Sequence, residues 1–426
     1  MSFGRAFTFA QMRRAGSLQG EALHRYQVKR LRAMLMHAHA HVPYWKRMLD
    51  SAGVVPTAVD SVEDLQRLPV TRREDLQRAH GLLAENVDPA DCVVRRTGGS
   101  TGRPLTIRTL RDDLEVEALG WLRTWQRFGL SLRDRQAALK EPEDVHHQGS
   151  SRWFHRLGFL RVQHLDLYSP AERLVDQLNS ISPDVLRGPP STLDALAREI
   201  EAREAPSAIR PRLVFTTGER LDARARARAG LAFESPLHDL YGATEAGCLA
   251  WQEPHSRRYT VNSDLVIVEI LENGRPVAPG EAGEVVITNL FSKAMPFVRY
   301  ALGDRARRSL ADHEGPDVRV LEELLGRTVD QVVLRDGRIV SPYHFMPDEV
   351  KGIDTYRITQ TRPDEIQLLV VPGRGFAEED LKRACAEYES DLGGACQVSY
   401  RLLRSLPAET AEGQRRVVRT ETPTGF

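Results

Sequence analysis

Apolar residues recur at helical spacing from Leu23 to Leu49, and Pro43 interrupts the run. Thr71 followed by Glu74 reads as a capping box that opens a helix through His80. The first ninety residues are therefore expected to be mostly helical. The texture then changes. From residue 92 to about 245, short runs rich in β-branched residues alternate with helical patterns. The expected strands are 92–97, 104–109, 136–140, 184–187, 212–216 and 237–241. Such alternation predicts an α/β layered architecture. Residues 260–310 read as β-rich, with strands at 265–271 and 276–288 flanking the turn signal Asn273-Gly274. A second hairpin is expected over 331–341 around Asp336-Gly337. Strands at 355–361 and 365–371, a helix at 377–391 and a strand at 396–403 complete a small α+β pattern. We therefore expect a large multi-layer domain over 1–326, a hinge at 326–330 and a small α+β domain over 331–426.

Length agrees with this division, since 426 residues exceed one core of ordinary size. Lysine plus arginine number 59 and aspartate plus glutamate 59, so the formal net charge is zero. That balance argues against a nucleic-acid partner, which calls for a basic stripe. The arginine clusters at Arg224, Arg226 and Arg228, and at Arg305, Arg307 and Arg308, read as solvated faces. The four cysteines, Cys92, Cys248, Cys385 and Cys396, form no CxxC pair and no zinc spacing. Few thiols, no apolar leader and no run of about 20 apolar residues predict a soluble cytoplasmic chain without a membrane span. The sequence has six lysines, Lys29, Lys46, Lys140, Lys293, Lys351 and Lys382. A catalytic lysine has few places to be.

The sharpest local signal is Thr97-Gly98-Gly99-Ser100-Thr101-Gly102, between two expected strands. Glycines let backbone amides approach an anion, and the hydroxyls add donors. The loop is neither a Walker loop nor a dinucleotide fingerprint. Asp239-Leu240-Tyr241-Gly242-Ala243-Thr244-Glu245 follows another strand. Its tyrosine offers a flat ring to a base, and its glutamate an oxygen ligand to magnesium. Arg299-Tyr300-Ala301-Leu302-Gly303-Asp304 and Leu325-Gly326-Arg327 come later. The Asp304 carboxylate can accept from ribose hydroxyls, and Arg327 can donate there.

These four segments, in this order, resemble the adenylate-forming (ANL) superfamily, and within it the phenylacetate–coenzyme A ligase branch that includes the capsular polysaccharide CapK-like proteins. Phe215-Thr216-Thr217-Gly218-Glu219, His41-Val42-Pro43-Tyr44-Trp45, Leu68-Pro69-Val70-Thr71-Arg72-Arg73-Glu74-Asp75-Leu76 and Gly283-Glu284-Val285-Val286-Ile287-Thr288-Asn289-Leu290 support the resemblance, which spans about residues 25–420. It implies an AMP-binding N-terminal domain and a mobile C-terminal lid. It implies that Thr97 to Gly102 hold the ATP phosphates, with Gly218 and Glu219 along the adenine. Tyr241 would stack on the base within Asp239–Gly242. Thr244 would contact the α-phosphate and Glu245 would bind Mg²⁺. Asp304 and Arg327 would grip the ribose. The implied reaction is ATP-dependent activation of a carboxylic acid, aromatic in this branch. The acyl group then passes to coenzyme A, to a carrier-protein phosphopantetheine or to another nucleophile.

The chain departs from the family at several points. Gln414 stands where the family places a lysine that bridges the carboxylate and the α-phosphate. Glutamine donates hydrogen bonds but carries no charge. Loss of one charged stabiliser costs about 10²- to 10³-fold in rate. Arg415 or Arg416 is the candidate substitute, although arginine's planar fork is no copy of a lysine point charge. Val329 occupies a hinge position that the family fills with Asp or Lys. Thr260 sits where relatives often have histidine. Two other functions stay open: adenylyl transfer to a hydroxyl or phosphate, and nucleotide binding without catalysis.

Lys140, His146 and His147 are candidates for the substrate site. The triplet His37, His39 and His41 reads as a plain helix rather than a metal site, because only His37 and His41 share a face. Trp121 and Trp125 read as core packing, and Cys248 as a small buried filler.

Overall fold

Parallel strands buried on both faces require continuous apolar runs, and Val185-Leu186 and Leu213-Val214-Phe215 provide them. The computed structural model describes residues 3–96, 105–140, 158–167, 169–203, 207–219, 221, 223–253, 256–313, 315–327, 332–334, 339–340, 345, 347, 350–362, 364–392, 394–404 and 416–418. The chain divides into two compact units, with the division along the chain between Leu324 and Leu325.

The large unit opens with helices α1 (Phe3–Ala15), α2 (Gly20–His41), α3 (Pro43–Ser51) and α4 (Arg73–Arg78). Pro43 starts α3 as its first residue, the position where a missing N–H costs nothing. The expected capping box is displaced by one residue. Arg72 is the N-cap, and its backbone N–H donates to Asp75 Oδ2 at 2.8 Å. Thr71 is drawn instead into a bridge with Tyr300.

Strands β1 (Cys92–Arg96) and β2 (Thr106–Leu110) form an antiparallel pair. Helix α5 (Arg111–Arg127) follows. The main sheet then collects β3 (Arg135–Lys140), β4 (Arg161–Asp166), β5 (Val185–Gly188), β6 (Leu213–Thr216), β7 (Leu237–Ala243), β8 (Gly247–Gln252), β9 (Tyr259–Val261), β10 (Val266–Glu272), β11 (Arg275–Pro276), β12 (Ala282–Asn289), β13 (Tyr300–Arg308) and β14 (Val320–Arg327). Among the described residues its order is β11-β10-β12-β13-β14-β9-β8-β7-β6-β5-β3-β4. Strands β4, β3, β5, β6 and β7 run parallel. Helices α6 (Ala171–Ile181), α7 (Pro190–Ala202) and α8 (Ala223–Phe233) connect them, as parallel crossovers require. From β7 onward the pairings described are antiparallel.

Side chains alternate across this sheet. Ala137, Leu186 and Val214 pack against α6, α7 and α8. Val185, Leu213 and Phe215 face the opposite way and join Leu122, Trp121, Trp125 and Phe128 around α5. A buried ion pair anchors α5 itself: Arg123 donates to Asp264 at 2.5 and 2.8 Å, and both side chains are at most 4% exposed.

The small unit carries the hairpin β15 (Val332–Val333) and β16 (Ile339–Val340), then β17 (Ile353–Arg362), β18 (Glu365–Pro372), α9 (Glu378–Asp391), β19 (Gln397–Leu402) and β20 (Arg416–Val418). Its sheet order is β19-β18-β17-β20. One face buries Ile358, Ile366, Leu368 and Val370 beneath Leu381 and Cys385 of α9. The fold is thus mixed α/β, with a large N-terminal sheet unit and a small C-terminal α+β sheet. Among the described residues no helix is long and apolar enough to cross a membrane.

Candidate active site

Tyr241 to Glu245 lie at the tip of the β7–β8 hairpin. Gly242 pairs with Cys248 and Ala243 with Gly247, which leaves Thr244, Glu245 and Ala246 as a three-residue loop. Gly247 closes it with φ +68°, the left-handed position such a loop demands. A Cβ there would lie 2.4 Å from Glu117 Cγ, so the glycine also lets α5 approach.

Two clamps hold the loop. Arg95 Nη2 donates to the Thr244 carbonyl at 2.6 Å and to Thr109 Oγ1 at 3.3 Å. The same guanidinium pairs with Glu117 at 3.0 Å, with the two side chains 22% and 15% exposed. Burial raises the Glu117 carboxyl above its ordinary range, and Arg95 opposes that shift. On the other side, Asn289 Nδ2 donates to the Glu245 carbonyl at 2.9 Å, while its Oδ1 accepts from the N–H groups of Phe291 and Ser292. The Glu245 side chain is buried. It faces Tyr300, whose phenol is raised by burial first and by the Glu245 carboxylate second.

The structure brings several expected residues together. Tyr241 Oη donates to Asp304 Oδ2 at 2.6 Å, joining two of the sequence segments across 63 residues. Gly218 has φ +91° and open space where a side chain would be. Glu219 accepts from Ser191 N and Ser191 Oγ, both at 2.9 Å. Asp239, in contrast, is turned inward. It is 3% exposed, accepts from the Tyr259 hydroxyl, and is held protonated up to about 7 by burial. Lys140 ends β3 on the α5 side of the sheet and acts electrostatically on Glu117. Thr97 to Gly102, His146, His147, Gln414, Arg415 and the side chain of Arg327 lie outside the described residues.

The other side chains singled out in the sequence have local partners. His37 shares a hydrogen bond with the Lys293 carbonyl at 2.9 Å, and His39 with Asp50 at 2.7 Å. Cys248 is buried, which pushes its thiol up to about 12. Among the described residues no group of three or more His, Cys, Asp or Glu gathers as a metal site. The single buried carboxylate of Glu245 fits Mg²⁺, which takes one or two protein carboxylates and completes its shell with phosphate oxygens and water.

Sequence reasoning missed three residues here. Arg95 and Glu117 hold the loop without belonging to any motif, and Asn289 belongs to the Gly283–Leu290 stretch but had no role assigned to it. A fourth is Arg187 in β5, which the sequence marks only as a charge within an otherwise apolar strand.

A family model described as AMP-binding enzyme matches residues 22–291 of this chain. The chain belongs to the AMP-binding enzyme family. Its curated relatives include a phenylacetate–coenzyme A ligase of Thermus thermophilus, 27% identical over 75% of this chain and 73% of that protein. The corresponding ligase of Pseudomonas putida is 25% identical over 74% of this chain and 73% of that protein. Protein CapK of Staphylococcus aureus is 18% identical over 84% of this chain and 80% of that protein. Among solved structures, 2-hydroxyisobutyryl-CoA ligase in the postadenylation state matches with a TM-score of 0.70 and 21% identity, over 92% of this chain and 88% of that chain. That likeness shows the fold. The loop geometry above therefore belongs to an AMP-binding enzyme related to these acid–CoA ligases.

Proposed function

We propose that this protein activates a carboxylic acid with ATP and passes the acyl group to a thiol, that of coenzyme A or of a carrier-protein phosphopantetheine. The observation that carries the reading is the Tyr241–Asp304 hydrogen bond beside a loop clamped by Arg95 and Asn289. A base and its ribose need a flat ring and an acceptor held at fixed separation, and this pair supplies both. On this reading Thr244 is assigned to the α-phosphate and Glu245 to its Mg²⁺. A carboxylate oxygen of the acid attacks the α-phosphorus, the bond to the bridging oxygen breaks, and pyrophosphate leaves. The thiol next attacks the acyl carbonyl and AMP departs. Two anions must meet in the first step, so oriented amides and cations are needed to offset their repulsion. The Thr97–Gly102 loop is assigned to the β- and γ-phosphates on its sequence. The acid is assigned as aromatic on the likeness to the phenylacetate–coenzyme A ligases.

Gln414 favours a second reading, in which the chain binds nucleotide but adenylates slowly or not at all. ATP–pyrophosphate exchange over a panel of aryl and short-chain acids separates the two. Exchange by the native chain with any acid supports the ligase. Exchange only after Gln414→Lys shows a sound ATP site in a protein that has left adenylation. No exchange by either chain, together with no ATP binding, overturns the proposal.

A further inference from the structure

Glu117, Trp121 and Trp125 are spaced by four residues, so they form one ridge along α5. Glu117 meets the Arg95 clamp behind Thr244. Trp121 lies against Gly242, where an added Cβ would be 2.7 Å from the indole. Trp125 stacks on Trp121 with ring centroids 5.9 Å apart. The far end of the ridge meets Arg187, whose guanidinium lies 4.1 Å from the Trp125 ring centroid. At the α-helical rise the ridge is about 12 Å long. It begins behind the α-phosphate loop and ends at a cation.

Arg187 is an unusual residue for its place. It sits in β5 between Ala138 of β3 and Phe215 of β6, with Val185 before it on the same face. None of these side chains accepts a hydrogen bond. Its Nε is buried with no hydrogen-bond partner, and among the described residues the Trp125 ring is its one partner. Burial alone lowers its affinity for the proton, to about 10, and no neighbouring carboxylate opposes this. A ring face attracts the charge but accepts none of the five in-plane N–H groups. A guanidinium so placed is matched in shape and charge to a bidentate anion. The strip is not sealed either. Trp121, Trp125 and Arg187 are half-buried, as are Tyr241, Gly242, Ala243 and Thr244, whereas Leu122, Val185, Leu213 and Phe215 are buried.

We propose that Arg187 is the specificity-determining residue at the distal end of the acid site, and that the acid this enzyme takes carries a second carboxylate or like anion beyond an aryl or short apolar spacer. The spacer lies along Trp121 and Trp125, the reactive carboxylate reaches the Thr244–Glu245 loop, and the second anion pairs with Arg187. This assignment rests on the adenylate-forming reading for the direction of the acid. It differs from a plain aryl site in one respect: a neutral ring end leaves the guanidinium donors unpaired.

The test is calorimetric titration of the full-length native chain with phenylacetate and with 4-carboxyphenylacetate, with ATP titrated separately. The native chain should bind the dicarboxylate at least ~10-fold more tightly, the scale of one charge-assisted pair. Arg187→Met keeps the apolar stem and should lose that preference while binding ATP as before. Arg187→Lys should retain part of it. A merely structural cation over Trp125 would shift the melting temperature and leave the preference between the two acids unmoved. Equal binding of both acids by the native chain, or an unchanged preference in Arg187→Met, overturns the assignment. If Arg187→Met does not fold, the native preference and Arg187→Lys still decide. Absence of ATP binding with an intact acid preference would sink the adenylate-forming reading and leave the Arg187 pocket standing.

Discussion

Replacing Asp239 with asparagine fixes chemically the protonation state that the fold already imposes. The carboxyl is 3% exposed, Tyr259 donates to one oxygen, and the other oxygen has no partner. Burial outweighs the Tyr259 bond and holds the proton up to about 7, against an ordinary value of 3.8. Below 3.8 the folded and unfolded chains are both protonated, so the group adds no pH dependence. Between 3.8 and 7 the unfolded chain has released the proton and the folded chain still binds it. Stability therefore falls as pH rises through that window. At about 1.4 kcal/mol per pH unit the loss reaches about 4 kcal/mol by neutral pH. Asparagine keeps an acceptor for Tyr259 and cannot ionise, so it lacks this loss. Urea unfolding of the large unit, measured for native chain and Asp239→Asn from pH 4 to pH 8, isolates the effect as the difference between the two curves. Other groups titrate in both proteins and cancel. The variant should gain on the native chain by about 4 kcal/mol as pH rises from 4 to 7, and no further above 7. A difference that stays constant across the range would refute the reasoning and show Asp239 to be ionised in the fold.

Gly247→Ala should destabilise the large unit by more than about 1 kcal/mol, because it places a side chain at φ +68° and 2.4 Å from Glu117 Cγ; a urea midpoint equal to that of the native chain contradicts this. Arg95→Met should cost about 1–3 kcal/mol by taking the charged hydrogen-bond partner from the half-buried Glu117, and Glu117→Gln clearly less, since Arg95 keeps its bonds to Thr244 and Thr109. A double-mutant cycle that shows no coupling between them would remove the clamp. His313 is raised to about 9 by hydrogen bonds to Asp312 and Asp317. Its stabilisation is complete below about 6.5 and is lost as pH rises through 9. His313→Gln should flatten the melting-temperature profile between pH 6.5 and 9.5, and an unchanged slope would dismiss the ion pair.

Local chemistry along the chain was sufficient for the elements and for the motif that names the loop. The expected helix at 377–391 is observed at Glu378–Asp391, and the expected strands 237–241 and 365–371 are observed at Leu237–Ala243 and Glu365–Pro372. Period-two and period-3.6 patterns are set by neighbouring residues, so they survive without knowledge of the fold. The Tyr241–Glu245 loop was legible for the same reason, because turn chemistry and function lie within a few residues. Charges lodged in the interior were not legible. Arg187 and Glu117 carry no motif signal in the sequence, and Asp239 is expected there only as part of the nucleotide-binding segment. Their environments come from partners tens to more than a hundred residues away: Trp125 for Arg187, Arg95 and Gly247 for Glu117, and Tyr259 for Asp239. Burial and long-range pairing set whether a charge is held, neutralised or left waiting for a ligand, and only the tertiary structure assigns them.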